Sequence, residues 1–117
     1  MFHKYSIYYF IDNFDSKEIS ELDIKINIIF RNYSPINIDP VIEKLSIFCK
    51  KKGRKLFISN DLKTAIKYGL DGLYIPSFNK LNKFKNINFK KDFKIIGSAH
   101  NEREILTKID QGCTDVF

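Results

Sequence analysis

The chain has 117 residues, a formal net charge of +6 and a hydrophobic content of 44%. This length predicts one domain and falls short of the roughly 200 residues that a full (β/α)8 barrel requires. No apolar run approaches the ~20 residues that span a bilayer, and the N-terminus lacks a signal-peptide pattern, so we expect a cytoplasmic protein without a membrane partner.

The positive charge comes from 17 lysines and only three arginines. Nucleic-acid sites favour arginine for bidentate contacts, so we expect no nucleic-acid partner. The densest basic run, residues 50–55, is interpreted as a solvated helix C-terminus, where cations suit the negative end of the helix dipole. The two cysteines, Cys49 and Cys113, have no Cys or His cluster around them and are predicted to be reduced packing residues.

The first half of the chain alternates apolar strands with helical patterns. A strand is predicted over residues 6–11, a short helix over 16–22 and a buried strand over 24–30. Asp39 is expected to cap the next helix, with Pro40 at its first position and Gly53 at its end. The inner stripe of that helix is predicted to be Ile42, Leu45, Phe48 and Cys49.

The second half repeats the alternation. A strand over residues 55–59 leads to a helix that ends at Gly69, with Leu62, Ala65 and Ile66 facing inward, and to a strand over 72–75. Residues 78–91 are predicted to form a short irregular helix and a loop. A strand over 93–98 precedes a capping box at Asn101 and Glu104, which opens a helix that ends at Gly112. Its inner face is predicted to be Ile105, Leu106 and Ile109.

A short unit recurs in which glycine ends a helix and an aspartate then opens a strand, at residues 69–75 and again at 112–117. Repeated strand–helix units build a parallel sheet. We therefore predict an α/β fold, a partial (β/α)8 TIM barrel of about five βα units plus the start of strand six. That last strand, beginning at Asp115, is expected to have no room to pair, as in a piece cut from a longer barrel.

Polar residues follow the predicted strands. In parallel βα folds the functional groups gather at the carboxyl ends of the strands. One cation with carboxylates, amides, hydroxyls and an imidazole suits a phosphorylated ligand with a magnesium ion, and not zinc. The candidate residues are Asp12, Arg31, Asn60, Asp61, Ser77, Asn79, Ser98 and His100.

Each candidate also has a purely structural interpretation. Arg31 suits a solvated strand end, Asn60 and Asp61 suit a helix N-cap, and His100 suits a surface position. The sequence contains no glycine-rich phosphate loop of the dinucleotide or Walker type. This argues against an enzyme that uses nicotinamide cofactors or nucleoside triphosphates.

Five segments in the same order carry a family resemblance. They are Ile29-Phe30-Arg31 and residues 56–61, 65–75, 95–101 and 112–117. Through them, residues 28–117 resemble the thiamine phosphate synthase and thiazole tautomerase family, whose members are (β/α)8 barrels of thiamine biosynthesis. The resemblance implies that the chain is the N-terminal part of such a barrel.

The resemblance implies a transferase that condenses a hydroxymethylpyrimidine diphosphate with a thiazole phosphate and expels pyrophosphate. Its partners would be those phosphorylated small molecules. The implied catalytic residues are Arg31, which contacts the diphosphate, and His100, as a polar wall or acid–base group. Asn60 and Ser98 would contact substrate, and Asp61 and Asn79 would hold Mg²⁺.

The chain departs from the family pattern at five positions, which are Ile29, Tyr33, Leu62, Tyr74 and Asn79. The family usually carries Gln, Lys, Arg, His and a second magnesium carboxylate there. A divergent synthase is therefore expected, with a tautomerase-like enzyme or a non-catalytic phosphate-binding relative as alternatives. The 117-residue piece alone is expected to be inactive, and its open sheet edge to favour aggregation or a homo-oligomer.

Overall fold

The structure, a computed structural model, describes residues 6–34, 37–81, 84, 87 and 89–117. Within them, six parallel strands form one sheet in sequential order, curled into a half-barrel. The strands are β1 (Ile7–Ile11), β2 (Ile26–Phe30), β3 (Leu56–Ser59), β4 (Gly72–Ile75), β5 (Lys94–Gly97) and β6 (Asp115–Val116). The predicted α/β class and parallel order are confirmed.

Four helices connect the strands in the described part of the chain. They are α1 (Ser16–Ser20), α2 (Asp39–Lys52), α3 (Leu62–Lys67) and α4 (Glu102–Asp110). None of these helices combines the length and apolar character needed to cross a membrane. The glycines that follow α2, α3 and α4 have φ values of 69°, 61° and 100°, as predicted for helix-ending residues. They are Gly53, Gly69 and Gly112.

The expectation that the strand at Asp115 has no room to pair is wrong. Asp115 and Val116 pair with Ile96 and Gly97 of β5. The amide of Phe117 also donates to the carbonyl of Gly97. Backbone bonds from Thr114 to the Ile95 carbonyl and from Ala99 to the Phe117 carbonyl extend this pairing on both sides.

The start of α2 also differs from the prediction. Asp39 is the first helical residue and not the cap. Its carboxylate forms an ion pair with Lys67 of α3 at 3.0 Å, and its backbone amide donates to Oδ1 of Asn37. The carboxylate therefore ties α2 to α3 across the surface.

The segment over residues 78–91 contains no helix among its described residues, so the short irregular helix is not found there. Residues 82–83, 85–86 and 88 of that prediction lie outside the described residues. Phe84 is buried in the apolar cluster between the sheet and the helices. Phe89 stacks on Phe93 with ring centroids 4.7 Å apart. Aromatic packing thus fixes the segment where the structure describes it.

The sheet has an apolar cluster on each face. The outer cluster packs against the helices and includes Leu56 and Ile58 of β3. The inner cluster is built from alternate residues of the same strands and is rich in aromatic rings. Its buried members are Ile29, Phe57, Tyr74 and Ile96, with Tyr8 and Phe10 packed against them.

The predicted inner face of α4 is wrong. Ile105, Leu106 and Ile109 are 43%, 62% and 57% exposed, whereas Lys108 is fully buried. The Lys108 ammonium donates to the carbonyl of Asn79 at 2.8 Å, and Gln111 just after the helix donates to the same carbonyl. The polar side of α4 faces inward because it supplies hydrogen-bond donors to the Asn79 carbonyl in the loop after β4. Ile66 of α3 is likewise exposed, against the prediction.

The basic run at residues 50–55 is only partly solvated. Lys50, Lys51 and Lys52 are exposed, as predicted for a helix end. Arg54 is 6% exposed, and its guanidinium donates to four backbone carbonyls at 2.7–3.1 Å. Arg54 is therefore a buried structural cation, and the interpretation of the whole run as solvated is wrong for it.

Candidate functional site

Arg31 directly follows β2 at the carboxyl edge of the sheet. Its backbone amide donates to the carbonyl of Ile11 at the end of β1, which fixes its main chain. Its guanidinium lies over the Phe10 ring, 4.2 Å from the ring centroid. Among the described residues this guanidinium has no carboxylate within ion-pair distance. Its charge is therefore available to an anion.

The described residues line three cavities that open at this edge. Arg31 and Asp12 border two of them, of about 540 Å³ and 350 Å³. The third, of about 200 Å³, lies at the end of β3 and is bordered by Asn60 and Asp61. The largest and the smallest share four lining residues, so they are neighbours. The shared residues are Phe30, Asn32, Tyr33 and Ile38.

Tyr33 is one of the residues that border both neighbouring cavities. Its hydroxyl lies 2.7 Å from Oγ of Ser59, the last residue of β3. Its ring meets the Phe78 ring edge to face, with centroids 6.2 Å apart. In the sequence, Tyr33 stands out only as a departure from the family pattern. The signal available was an aromatic residue two positions after the cation that ends β2.

Asn60 and Asn79, predicted separately, are brought into contact. Asn60 has a φ of 58°, in the left-handed region that asparagine tolerates better than most residues. Asn79 is buried, and its Nδ2 donates to Oδ1 of Asn60. The Oδ1 of Asn79 accepts from the amide of Leu81. This pair therefore fixes the orientation of the Asn60 side chain at the cavity.

Asp61 is the N-cap of α3. Its Oδ1 accepts from the Thr64 amide at 3.0 Å, and its Oδ2 accepts from the Thr64 hydroxyl at 2.7 Å. The capping interpretation therefore describes its observed contacts. The half-buried carboxylate still borders the smallest cavity.

The residues predicted to hold Mg²⁺ do not form a prepared magnesium site. Both carboxylate oxygens of Asp61 accept bonds from Thr64, and the amide of Asn79 is bonded to Asn60 and Leu81. No group of three His, Cys, Asp or Glu residues that could hold a metal occurs in the described ranges. Magnesium prefers a near-octahedral set of oxygens. Each of these oxygens keeps a lone pair for a metal, but the two residues together supply only one carboxylate.

Ser98 follows β5, and its Oγ lies 2.6 Å from the hydroxyl of Tyr74 on β4. Tyr74 stands where the resembled family carries histidine, so a phenol and a hydroxyl pair at this point of the edge. His100 is exposed, and its backbone amide donates to Oε1 of Glu104 at 2.7 Å. Glu104 thus closes the predicted capping box one residue earlier than expected. The amide of Glu104 donates to Asn101, as predicted.

Burial shifts the pKa values of the two cysteines and of Lys108. It raises the pKa of the Cys49 and Cys113 thiols to about 11, so neither is a thiolate nucleophile near neutral pH. Both cysteines are free, as predicted. Burial also lowers the pKa of the Lys108 ammonium.

The structure brings Arg31, Tyr33 and Asn60 to adjacent cavities at the carboxyl ends of β2 and β3. The other predicted site residues Ser77, Asn79, Ser98 and His100 border none of the three cavities. A scan against protein-family models finds no match to this chain, and a search of curated proteins finds no significantly similar sequence. The interpretation of this edge therefore depends on its residues.

Proposed function

We propose that this chain binds a phosphorylated small molecule at the carboxyl ends of β2 and β3. The observation that carries the proposal is Arg31, which borders two cavities with no carboxylate partner among the described residues. A guanidinium matches phosphate oxygens with paired hydrogen bonds. Asn60 adds a donor, because Asn79 occupies its Oδ1 and leaves its Nδ2 for a ligand.

In line with the sequence resemblance, we propose that the half-barrel is the N-terminal part of a (β/α)8 barrel and that the reaction is synthase-like. A pyrimidine diphosphate and a thiazole phosphate would condense as pyrophosphate leaves. Arg31 would stabilise the charge that develops on the departing diphosphate. Asn60 and the Ser98–Tyr74 hydroxyl pair would orient the polar groups of the substrates.

A second candidate is a relative that binds the phosphate without magnesium, either tautomerase-like or non-catalytic. The residue types favour it, since Asp61 is the one carboxylate of the proposed metal pair and Asn79 brings no charge. The two candidates share the same phosphate-binding edge. They differ in whether Mg²⁺ strengthens binding.

Titration calorimetry of the chain with inorganic pyrophosphate, with and without Mg²⁺, tests these proposals. We expect Arg31→Met to weaken pyrophosphate binding at least about tenfold, the loss for a charge-assisted hydrogen bond. Arg103→Met, which removes an exposed arginine from α4, is the matched control and should bind like the unaltered chain. Equal weakening in both variants, or no pyrophosphate binding at all, would contradict the proposal.

The titrations with and without Mg²⁺ separate the two candidate functions. Tighter pyrophosphate binding in Mg²⁺ that is abolished by Asp61→Asn supports the synthase-like reaction. Binding that is indifferent to Mg²⁺ and to Asp61→Asn supports the metal-free relative.

A further inference from the structure

A further cavity, of about 160 Å³, lies between α3 and the turn before β5. Ala65 and Ile66 of α3 border it, together with Gly69 and Leu70, which follow that helix. Gly69 and Leu70 precede β4, so this cavity lies towards the amino-terminal end of the strand, whereas the cavities beside Arg31 lie at the carboxyl ends. It is therefore separate from the proposed phosphate site.

The side chains that border this cavity are apolar except for that of Lys90. Phe89 and Phe93 supply the aromatic part of the lining, and the Phe93 amide donates to the Lys90 carbonyl, which closes the turn between them. Ile66 is 57% exposed and belongs to neither apolar cluster of the core. An apolar cavity of about 150 Å³ is large enough to take up benzene. This cavity therefore suits an apolar group of about six carbon atoms.

Two lysine ammonium groups lie beside the cavity, close to Gly69. Nζ of Lys90 donates to the Gly69 carbonyl at 3.0 Å, and Nζ of Lys50, in the last turn of α2, donates to the Tyr68 carbonyl at 3.1 Å. A Cβ on Gly69 would lie only 3.4 Å from Nζ of Lys50. Within the described ranges, neither ammonium has a carboxylate at ion-pair distance.

Both ammonium groups can still bind an anion. Each uses one of its three N–H groups for a backbone carbonyl and keeps two. The carboxylate that follows closest in the chain, Asp71, accepts from the Leu56 amide of β3 at 2.8 Å. The end of a helix carries at most about half a negative charge, which is less than the charge of two lysines. An excess of positive charge therefore lies beside an apolar cavity.

We propose that this cavity binds a small alkyl monocarboxylate of about six carbon atoms. Its tail would pack against Ile66, Phe89 and Phe93, and its carboxylate would accept hydrogen bonds from Lys50 and Lys90. Inorganic phosphate would satisfy the lysines but leave the apolar lining uncovered, so the combination favours an amphipathic anion. This site does not depend on the phosphate-binding function proposed above.

NMR titration of the isotope-labelled chain with acetate, butyrate, hexanoate and hexan-1-ol tests the proposal. We expect the affinity from butyrate to hexanoate to rise about fourfold for each added methylene, with acetate the weakest ligand. Hexan-1-ol, which has the tail without the charge, should bind at least about tenfold more weakly than hexanoate. The amide signals that shift should be those of residues 65–70 and 89–93. Equal binding of acetate and hexanoate, or of hexanol and hexanoate, would overturn the proposal.

Variants test the two lysines. Lys50→Met combined with Lys90→Met should weaken hexanoate binding at least about tenfold and leave hexanol binding unchanged. Lys44→Met combined with Lys51→Met removes the same charge from exposed positions of α2 and is the matched control. Equal hexanoate affinity in the two double variants would contradict the assignment of the carboxylate.

Ile66→Asp is an independent test, because it places a negative charge at an exposed position that borders the cavity. It should abolish hexanoate binding, and it decides the result if the double lysine variant does not fold. Arg31→Met should leave hexanoate binding unchanged. Loss of hexanoate binding in Arg31→Met would place the carboxylate at the other edge of the sheet and overturn the separate site.

Discussion

Arg54 shows how a single side chain organises the amino-terminal end of the sheet. One terminal nitrogen of its guanidinium donates to the carbonyls of Asp23 and Ile26, and the other donates to Ile19 and Leu22. These carbonyls belong to α1, to the turn after it and to the start of β2. A planar guanidinium has the geometry to serve four acceptors, which an ammonium lacks. In the sequence Arg54 lies in a run of lysines, so its pattern predicts a solvated residue and not this buried one.

We predict that Arg54→Met lowers the free energy of unfolding by about 3 kcal/mol, because buried carbonyls lose charged donors. Arg54→Lys should recover less than half of that loss. Lys55→Met, which alters the exposed neighbour, should stay within about 0.5 kcal/mol of the unaltered chain. Urea denaturation measures all three variants. Equal stability of Arg54→Met and Lys55→Met would show that the four bonds contribute nothing.

The sequence predicts which edge of the sheet carries the candidate site, but not the hydrogen-bond partners of its side chains. Strand ends are visible in the sequence as apolar runs, so the placement of Arg31 and Asn60 on one edge follows from a parallel sheet. The partner of Asp61 does not follow, because an aspartate before a helix serves equally as a cap or as a ligand. The structure shows the cap, through Thr64. The contact of Asn79 with Asn60 joins loops after different strands, which no local pattern records.

At the scale of elements, α2 and α4 show when helical periodicity succeeds. On α2 the predicted stripe faces the core, since Ile42, Leu45 and Cys49 are buried and Phe48 packs partly buried against them. On α4 the apolar stripe is exposed, and Lys108 is buried against the loop after β4. Helical periodicity fails there because a buried backbone carbonyl without a donor would cost more free energy than burying an apolar side chain would gain. Gly97 makes this packing possible, since a Cβ there would lie 2.7 Å from Cδ of Lys108.

We predict that Lys108→Met stays within about 1 kcal/mol of the unaltered chain at pH 7, because Gln111 still donates to the Asn79 carbonyl. Burial lowers the pKa of Lys108, so its charged form is disfavoured in the folded state. The unaltered chain should therefore gain stability relative to Lys108→Met as the pH rises towards 10.5, the ordinary lysine value.

Denaturation midpoints of the two proteins at pH 7, 9 and 10 measure this gain. Lys63→Met, which removes an exposed lysine from α3, should show no such change in its difference from the unaltered chain. A difference between Lys108→Met and the unaltered chain that stays constant with pH would contradict the prediction.

At the scale of the whole molecule, the two edge strands of the half-barrel meet through side chains. The Tyr8 hydroxyl of β1 lies 3.3 Å from Oδ2 of Asp115 of β6 and donates to it. The Tyr8 ring stacks on Phe117 at 5.4 Å and contacts Phe57 edge to face at 5.5 Å. The order of the strands was predictable from the repeated βα unit. The curl was not, since this contact joins residues 107 positions apart.

The Tyr8–Asp115 contact predicts a specific dependence of stability on pH. Burial and then the Asp115 carboxylate raise the pKa of Tyr8 above its ordinary value of 10.0. A raised pKa in the folded state means that the Tyr8 contribution is fully present below pH 10 and is lost as the pH rises through the folded value. Tyr8→Phe should cost about 0.5–1.5 kcal/mol at pH 8, and the gap to the unaltered chain should shrink above pH 10.

Denaturation of both proteins between pH 8 and pH 11 measures this gap. Tyr9→Phe, which removes a hydroxyl from the opposite face of β1, is the control and should show a gap that does not change with pH. A Tyr8→Phe gap that is equally constant would mean that the hydroxyl does not join the edges of the sheet. The curl would then depend on the stacking of Tyr8 with Phe117 and Phe57, because these ring contacts persist in the phenylalanine variant.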